Sequence, residues 1–301
     1  MTFDVPLIDA HHHLARLDLG YPWLRAEAPV DRYHGDDRAL RRDYAIEEYR
    51  ADSEGLPLVA SVHVENGAAD PLAEARWIGE VIAAHGPIPA VHVARAELSA
   101  PGADELLDQL GAMAHVRGIR HILNWHPDVR WSHTDRPHIM TEPLWRRRFA
   151  TLAERGLSFD LQVFGDQLAE AARLAADHPG NSIVLDHAGM PAARDAEYLR
   201  RWRSGLAEIA RCENVTVKVS AIGTTDHRWS VASLAEIVVP TIDAFGPDRV
   251  MFGSNFPVDG LYSSLSALYA AFDEITSRYT RSERAAMFSG TAARTYRIPL
   301  D

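Results

Sequence analysis

Short apolar segments rich in valine, isoleucine and leucine recur along the chain, and turn residues bound each of them. An apolar run without polar alternation is typical of a strand that is buried on both faces of a parallel sheet. The segments lie at residues 5–12, 57–65, 88–94, 117–123, 157–164, 182–188, 215–221 and 248–254. The pattern therefore predicts eight buried strands.

Helical patterns lie between most of these segments. They cover residues 71–85, 103–114, 142–155, 166–178, 195–211 and 231–245. Strands and helices that alternate eight times over about 250 residues are what a (β/α)₈ barrel requires. The competing fold, a doubly wound open sheet, prefers a glycine-rich phosphate-binding turn after its first strand, and the sequence has none there. We therefore predict a single-domain (β/α)₈ TIM barrel over residues 1–301.

Two connections are long, at residues 14–44 and 124–141, and both follow the C-terminal end of a predicted strand. On a barrel they would overhang the face that carries the chemistry. Two mobile surface loops are the alternative, but the aromatic residues in each argue for contact with a ligand. We expect Tyr21, Trp23 and Trp125 to contact a bound substrate.

The composition is 47% hydrophobic and 24% charged, which is typical of a globular protein and not of a disordered chain. Acidic residues outnumber basic ones by 42 to 31, and no basic cluster offsets the formal charge of −11, so a nucleic-acid partner is disfavoured. The single cysteine, Cys212, precludes an internal disulfide. With no basic leader and no apolar run long enough for a membrane span, we expect a cytoplasmic protein.

The segment LIDAHHHL at residues 7–14 carries three consecutive histidines within the first predicted strand. Alternate side chains of a strand share a face, so His11 and His13 should point into the barrel mouth together while His12 points outward. The strand pattern begins at Val5, which argues against the remnant of an affinity tag. The pair is therefore a candidate for metal binding or catalysis.

Further polar residues gather where the other predicted strands end, and in barrel enzymes the chemistry lies at those ends. Besides Asp9 in the first strand, they are His63, Glu65, His92, Arg120, His121, Asn124, Gln162, His187, Lys218, Ser220, Ser254 and Asn255. We exclude His63 and His92, because buried histidines are more often structural than ligands. His121 should face away from Arg120 by alternation.

Lys218 is the only lysine in the chain, and it lies inside a buried strand pattern. A lone buried lysine is costly unless it meets an anion or a carboxylate. We favour a functional role for it, although a buried pair with Glu65 explains it equally well. For Glu65, a functional role and a structural pair with an arginine at the barrel end are equally favoured.

Six motifs in order along the chain carry a resemblance to a known family. They are IDAHHHL, RGIRHIL, FDLQVF, VLDHAGMP, RVMFGSNFPVD and the closing SGTAARTYRI. Together they resemble the amidohydrolase-related branch of the amidohydrolase superfamily, which contains L-fuconolactonase and 2-pyrone-4,6-dicarboxylate lactonase. The resemblance implies a (β/α)₈ fold and hydrolysis at the barrel mouth.

By position, the resemblance makes His11, His13 and His187 candidate metal ligands and Arg120 a binder of a substrate carboxylate. Two positions depart from the family. Asn255 replaces the usual aspartate, and a neutral amide cannot serve as the base; Gln162 stands where many metal-dependent relatives have histidine. We therefore expect at most one divalent metal, zinc or manganese, bound weakly or substoichiometrically, and no other cofactor.

These assignments predict the opening of a small lactone by water. Lys218 or a weakly held metal would polarise the carbonyl, and Asn255 would orient water or substrate. His187 is the first candidate base, Glu65 the second and Asp259 a remote third. Two alternatives stay open: a metal-dependent decarboxylase of a small unsaturated or aromatic acid, and a non-catalytic barrel that binds a small acid. A homodimer is one expectation, since barrels of this size often pair.

Overall fold

The computed structural model describes residues 3–25, 27 and 32–300. It contains eight parallel strands that pair in sequence order: β1 Leu7–His12, β2 Leu58–Val64, β3 Val91–Arg95, β4 Val116–Ile122, β5 Ser158–Gln162, β6 Ile183–Leu185, β7 Val215–Val219 and β8 Val250–Phe252. Each falls within a predicted segment or extends it by one residue. The predicted (β/α)₈ barrel is confirmed.

The C-terminal end of β1 is joined to the chain that follows β8. The backbone N–H of Asn255 donates to the carbonyl of His11 at 2.7 Å, and the N–H of His13 donates to the carbonyl of Phe256 at 2.7 Å. Gly253 permits this approach, because a Cβ at that position would lie 2.6 Å from His11 Cβ. The closure places His11 and His13, near the start of the chain, beside Asn255, near its end.

Helices cover the outside of the strands. They are α1 Ile46–Asp52, α2 Pro71–His85, α3 Ala103–Gly111, α4 Pro143–Ala150, α5 Leu168–Asp177, α6 Ala196–Ile209, α7 Val231–Phe245, α8 Leu265–Thr276, α9 Arg281–Ala285 and α10 Thr291–Tyr296. All six predicted helices are present. Asp70 accepts a hydrogen bond from Leu72 N at the start of α2, and Ser230 accepts one from Ser233 N at the start of α7, so both begin at a capping side chain.

Helix α10 closes the N-terminal end of the barrel. Its Tyr296 packs with Ile8, Val62 and Met251 in an apolar cluster inside the strands, and its hydroxyl donates to Asp160 Oδ2 at 2.8 Å. Burial of this cluster stabilises the closed cylinder by removing apolar area from water. Within the described part of the chain, no helix is both long and apolar enough to cross a membrane.

Candidate active site

A cavity of about 510 Å³ lies at the C-terminal mouth of the barrel. Its floor and walls come from the ends of six strands, through His13, Glu65, Arg120, Gln162, His187 and Asn255. The two long connections supply further lining residues, among them Trp23, Arg32, Tyr33, His133 and Arg136. A cavity of this size and mixed polarity suits a small molecule.

Seven residues proposed from the sequence meet in this cavity: the six strand-end residues and Trp23. Tyr21 and Trp125 lie outside its described wall; Tyr21 is only 2% exposed and packs in the core beneath the lid. In their place Tyr33 stands within 6 Å of both Trp131 and His133 of the second connection. Connections lack the periodicity that identifies inward positions, so sequence reasoning found the segments and missed these side chains.

Below the cavity lies a fully buried charged cluster around Lys218. Its ammonium is 2.5 Å from Asp160 Oδ2, 3.4 Å from Asp186 Oδ1 and 3.5 Å from His11 Nδ1. These three contacts do not include Glu65 or any other residue of the described cavity wall. The expected carbonyl-polarising role needs contact with the substrate, so this placement favours a positioning role for Lys218 instead.

Asp186 is a candidate site residue that the sequence analysis did not name. It follows β6 directly, and strict alternation would allow only one of Asp186 and His187 to face inward. The chain instead turns after β6, with left-handed backbone at His187 (φ 58°) and Ala188 (φ 55°), and both side chains reach the barrel interior. Such backbone is costly for residues other than glycine and is often retained at functional sites. The adjacent pair in VLDHAG was the only signal.

His11, Asp186 and His187 form the described group that fits a metal ion, because one ligand atom from each lies within 4.8 Å of the others. His11 Nε2 and both carboxylate oxygens of Asp186 have no hydrogen-bond partner although they are buried. Two imidazole nitrogens and one carboxylate are a donor set that zinc accepts in catalytic sites. The predicted set of His11, His13 and His187 differs, since Asp186 replaces His13 in this group.

The local charges keep this group ready to coordinate a cation. Burial lowers the pKa of His187 to about 3, against the opposing pull of Asp186. Burial opposes ionisation of Asp186, but Lys218 and His11 outweigh it and hold the pKa of that carboxyl well below its ordinary value. At neutral pH the cluster therefore presents a neutral imidazole beside a carboxylate. His187 Nδ1 is held 2.8 Å from the Ser220 hydroxyl, which fixes the ring.

The guanidinium of Arg120 is hydrogen-bonded to other residues of the cavity wall. Its Nε donates to Glu65 Oε1 at 2.6 Å, its Nη2 donates to the Glu65 carbonyl at 2.6 Å, and its Nη1 donates to Gln162 Oε1 at 3.1 Å. Nη2 also lies 2.6 Å from Glu65 Oε1. Of five guanidinium N–H groups one is left. The structural pairing of Glu65 with a barrel-end arginine is therefore present, and a bidentate grip of Arg120 on a substrate carboxylate has no room.

Asn255 bridges His13 and Asp259. Its side chain donates through Nδ2 to Asp259 Oδ2 at 2.8 Å, and its Oδ1 lies 3.3 Å from His13 Nε2. His13 Nδ1 is 2.8 Å from the Val64 carbonyl, which only accepts, so Nδ1 carries the proton. The lone pair of neutral His13 at Nε2 then needs a hydrogen-bond donor. A rotation of the Asn255 amide by 180° would turn Nδ2 toward His13 and Oδ1 toward Asp259, and this reversed amide requires a protonated Asp259. Burial raises the pKa of Asp259 to about 7.

A comparison with known families agrees with this geometry. The model of a family described as Amidohydrolase matches residues 8–298, almost the whole chain. The chain belongs to the amidohydrolase family. This membership agrees with the barrel and with the polar residues at the ends of its strands, and it identifies the protein as a hydrolase of the amidohydrolase superfamily.

The amidohydrolase has relatives of nearly equal length. It is 38% identical over 298 residues to an uncharacterized protein of Sinorhizobium fredii, covering 98% of this chain and 99% of that one. It is 32% identical over 313 residues to an L-fucono-1,5-lactonase of Burkholderia multivorans, covering 97% and 96%. A crystal structure of a Burkholderia multivorans amidohydrolase with bound zinc superposes with a TM-score of 0.82 at 30% identity, covering 98% of this chain and 100% of that chain.

Proposed function

We propose that this amidohydrolase hydrolyses a small lactone at the mouth of its barrel. The observation that carries the proposal is that His187, Arg120 and Asn255 line one cavity, and that Asp186, the neighbour of His187 in the chain, lies 3.5 Å from His11 Nδ1. Lactone opening needs activated water, stabilisation of an oxyanion and a route for the proton. The relative named as an L-fucono-1,5-lactonase supports the same class of substrate.

We assign the activation of water to His187, which takes a proton from the attacking water and returns it to the ring oxygen as the ester C–O bond breaks. Its ring lines the cavity and is oriented by Ser220 through Nδ1. Burial keeps the ring neutral at working pH, and the same lowering of its pKa to about 3 makes it a weaker base than the exposed imidazole that the sequence suggested. Asn255 cannot accept the proton, but its amide can orient the water. Glu65 is the weaker candidate base, because its carboxylate is already bonded to Arg120.

The oxyanion is assigned to Arg120. Its position is fixed by Glu65 and Gln162, so its last N–H is preorganised toward developing charge without reorganisation during the reaction. Lys218 acts indirectly. Its ammonium fixes Asp160 and Asp186 and keeps the latter ionised beneath the reacting centre.

The same cluster would hold a divalent metal, zinc or manganese, through His11, Asp186 and His187. A metal bound there would supply Lewis acidity and lower the pKa of a bound water. His187 serves as a ligand when metal is bound and as the proton acceptor when it is not. Replacement of His187 removes activity in either state, and the metal content of the purified protein tells the two states apart.

The experiment is a proton-release screen of the purified protein over sugar lactones, butyrolactones and pyrones, with simple esters and amides alongside. We expect turnover of at least one lactone class above the rate with heat-denatured protein, and less with the open-chain esters. Turnover of amides without any lactone would contradict the proposed substrate class. Carbon dioxide release from aromatic acids, without proton release from lactones, would also contradict it.

A further inference from the structure

We propose that the substrate is a lactone with one carboxylate, and that Arg32 of the first long connection recognises this carboxylate. The inference rests on the proposed function and deepens it. It assigns to Arg32 the recognition of a substrate carboxylate, which the sequence predicted for Arg120. The Arg120 guanidinium is already bonded to Glu65 and Gln162 of the wall.

The charges of the cavity wall pair off with one exception. Three of its four arginines contact a carboxylate of the same wall: Arg95 with Glu97 at 2.9 Å, Arg120 with Glu65 at 2.6 Å and Arg136 with Asp135 at 2.9 Å. The fourth, Arg32, makes no ion pair with any residue of the described chain. Four arginines against three carboxylates leave the described wall with a formal charge of +1, in a protein whose net charge is −11.

The two histidines that these connections contribute to the wall, His34 and His133, do not change this balance. Burial, His34 and Arg32 together lower the pKa of His133 to about 4, and burial lowers the pKa of His34. Both rings are therefore neutral at working pH. Among the described residues of the wall, Arg32 is therefore the arginine without a paired carboxylate.

Hydrogen bonds hold the backbone from Arg32 to Gly35, while the guanidinium makes no ion pair with a described residue. The N–H of Gly35 donates to the Arg32 carbonyl at 2.9 Å, and the Tyr262 hydroxyl donates to the His34 carbonyl at 2.6 Å. A Cβ at Gly35 would lie 2.2 Å from the Tyr262 oxygen, so this turn is seated closely against the loop after β8. The side chain is thus delivered to the cavity by an ordered turn.

A neutral substrate would leave a partly desolvated guanidinium without an anion, whereas a carboxylate accepts its N–H groups in a fork that matches them. The neighbouring Tyr33 and His133 rings contact each other edge to face, with centroids 5.6 Å apart, and offer an uncharged aromatic surface to a small ring. The cavity therefore fits a monoanionic cyclic ester better than a neutral sugar lactone.

The test compares γ-butyrolactone-γ-carboxylate with its neutral primary amide, on the wild-type protein and on Arg32→Gln, Arg32→Lys and Arg25→Gln. We expect wild type to prefer the carboxylate by about 10- to 100-fold in kcat/KM, the range of a hydrogen bond to a charged group. Arg32→Gln should lose the preference through a raised KM for the carboxylate, and Arg32→Lys should keep part of it. Arg25 lies in the same connection but outside the described wall, so Arg25→Gln should behave as wild type.

Equal kcat/KM values on both substrates in wild type, or an unchanged preference in Arg32→Gln, would overturn the inference while the lactonase function stands. If neither lactone is hydrolysed, calorimetric titration with glutaramate, which carries one carboxylate, and neutral glutaramide decides the inference separately. Tighter binding of glutaramate that Arg32→Gln abolishes supports it, and equal binding overturns it.

Discussion

Asn255 Nδ2 lies 2.8 Å from Asp259 Oδ2, in a pocket where both side chains are buried. The family resemblance implies an aspartate at position 255, where this chain has Asn255, and the carboxylate that contacts it is that of Asp259, four residues later. The amide between Asp259 and His13 can reverse, so the protonation of Asp259 decides which end of Asn255 faces His13 and the cavity. The pair is thus a hydrogen-bond relay that orients the amide and does not transfer a proton through it.

The first prediction concerns Asp259 and the pH dependence of stability. Burial raises the pKa of Asp259 from 3.8 to about 7, so the folded state favours the protonated carboxyl. Its contribution to stability is complete below about pH 4 and is lost as pH rises to about 7. Between pH 5 and 7 wild type should lose about 2–3 kcal/mol of unfolding free energy that Asp259→Asn does not lose. Urea denaturation at several pH values measures this difference.

The control for this prediction is Asp243→Asn, which removes an exposed carboxylate on α7. It should retain the pH dependence of wild type. A wild-type curve that parallels Asp259→Asn across this interval would show that Asp259 is ionised throughout, and that the reversed amide is not populated.

The second prediction concerns Lys218. Lys218→Met removes the only ammonium from a site that holds Asp160 and Asp186, and leaves two carboxylates in a fully buried environment. Loss of one partner of a buried pair typically costs about 3–5 kcal/mol. The double variant Lys218→Met/Asp160→Asn should recover part of that loss in equilibrium denaturation, because it removes one uncompensated charge. A single variant within about 1 kcal/mol of wild type would contradict this account of the cluster.

The third prediction separates the metal site in the structure from the one expected from sequence. Zinc added to chelator-treated protein should raise the melting temperature of wild type, since a ligand that binds only the folded state stabilises it. Asp186→Asn should abolish this rise, and His13→Asn should keep most of it. Plasma mass spectrometry of protein purified without chelator provides a second readout. The reverse pattern, with His13 required and Asp186 dispensable, would favour the predicted set of His11, His13 and His187.

The barrel and the positions of its strands followed from sequence because parallel strands are buried on both faces and leave continuous apolar runs. The inward direction of His13, Arg120 and Gln162 followed from alternation along strands. Alternation also explains the failure at Asp186, where left-handed backbone after β6 turns two consecutive side chains inward.

The partners of the buried charges were harder to predict. Lys218 was expected to meet an anion, and it does, but Asp160 and Asp186 are the anions and Glu65 is not. Strand pairing fixes which residues are level with one another, and that register is set by the whole cylinder and not by local sequence. Arg32 and Tyr33 lie in a connection without periodicity, so only the folded chain shows that they reach the cavity.

The most direct test of the account is the turnover of His187→Asn on the best lactone from the screen. A positioned general base contributes a factor of about 10²–10⁴ to the rate. We therefore expect the kcat of His187→Asn to fall at least 100-fold, with little change in melting temperature. His178→Asn, the same substitution at the end of α5 outside the described cavity wall, should keep the wild-type kcat. A folded His187→Asn variant that retains most of its turnover would contradict the proposed mechanism.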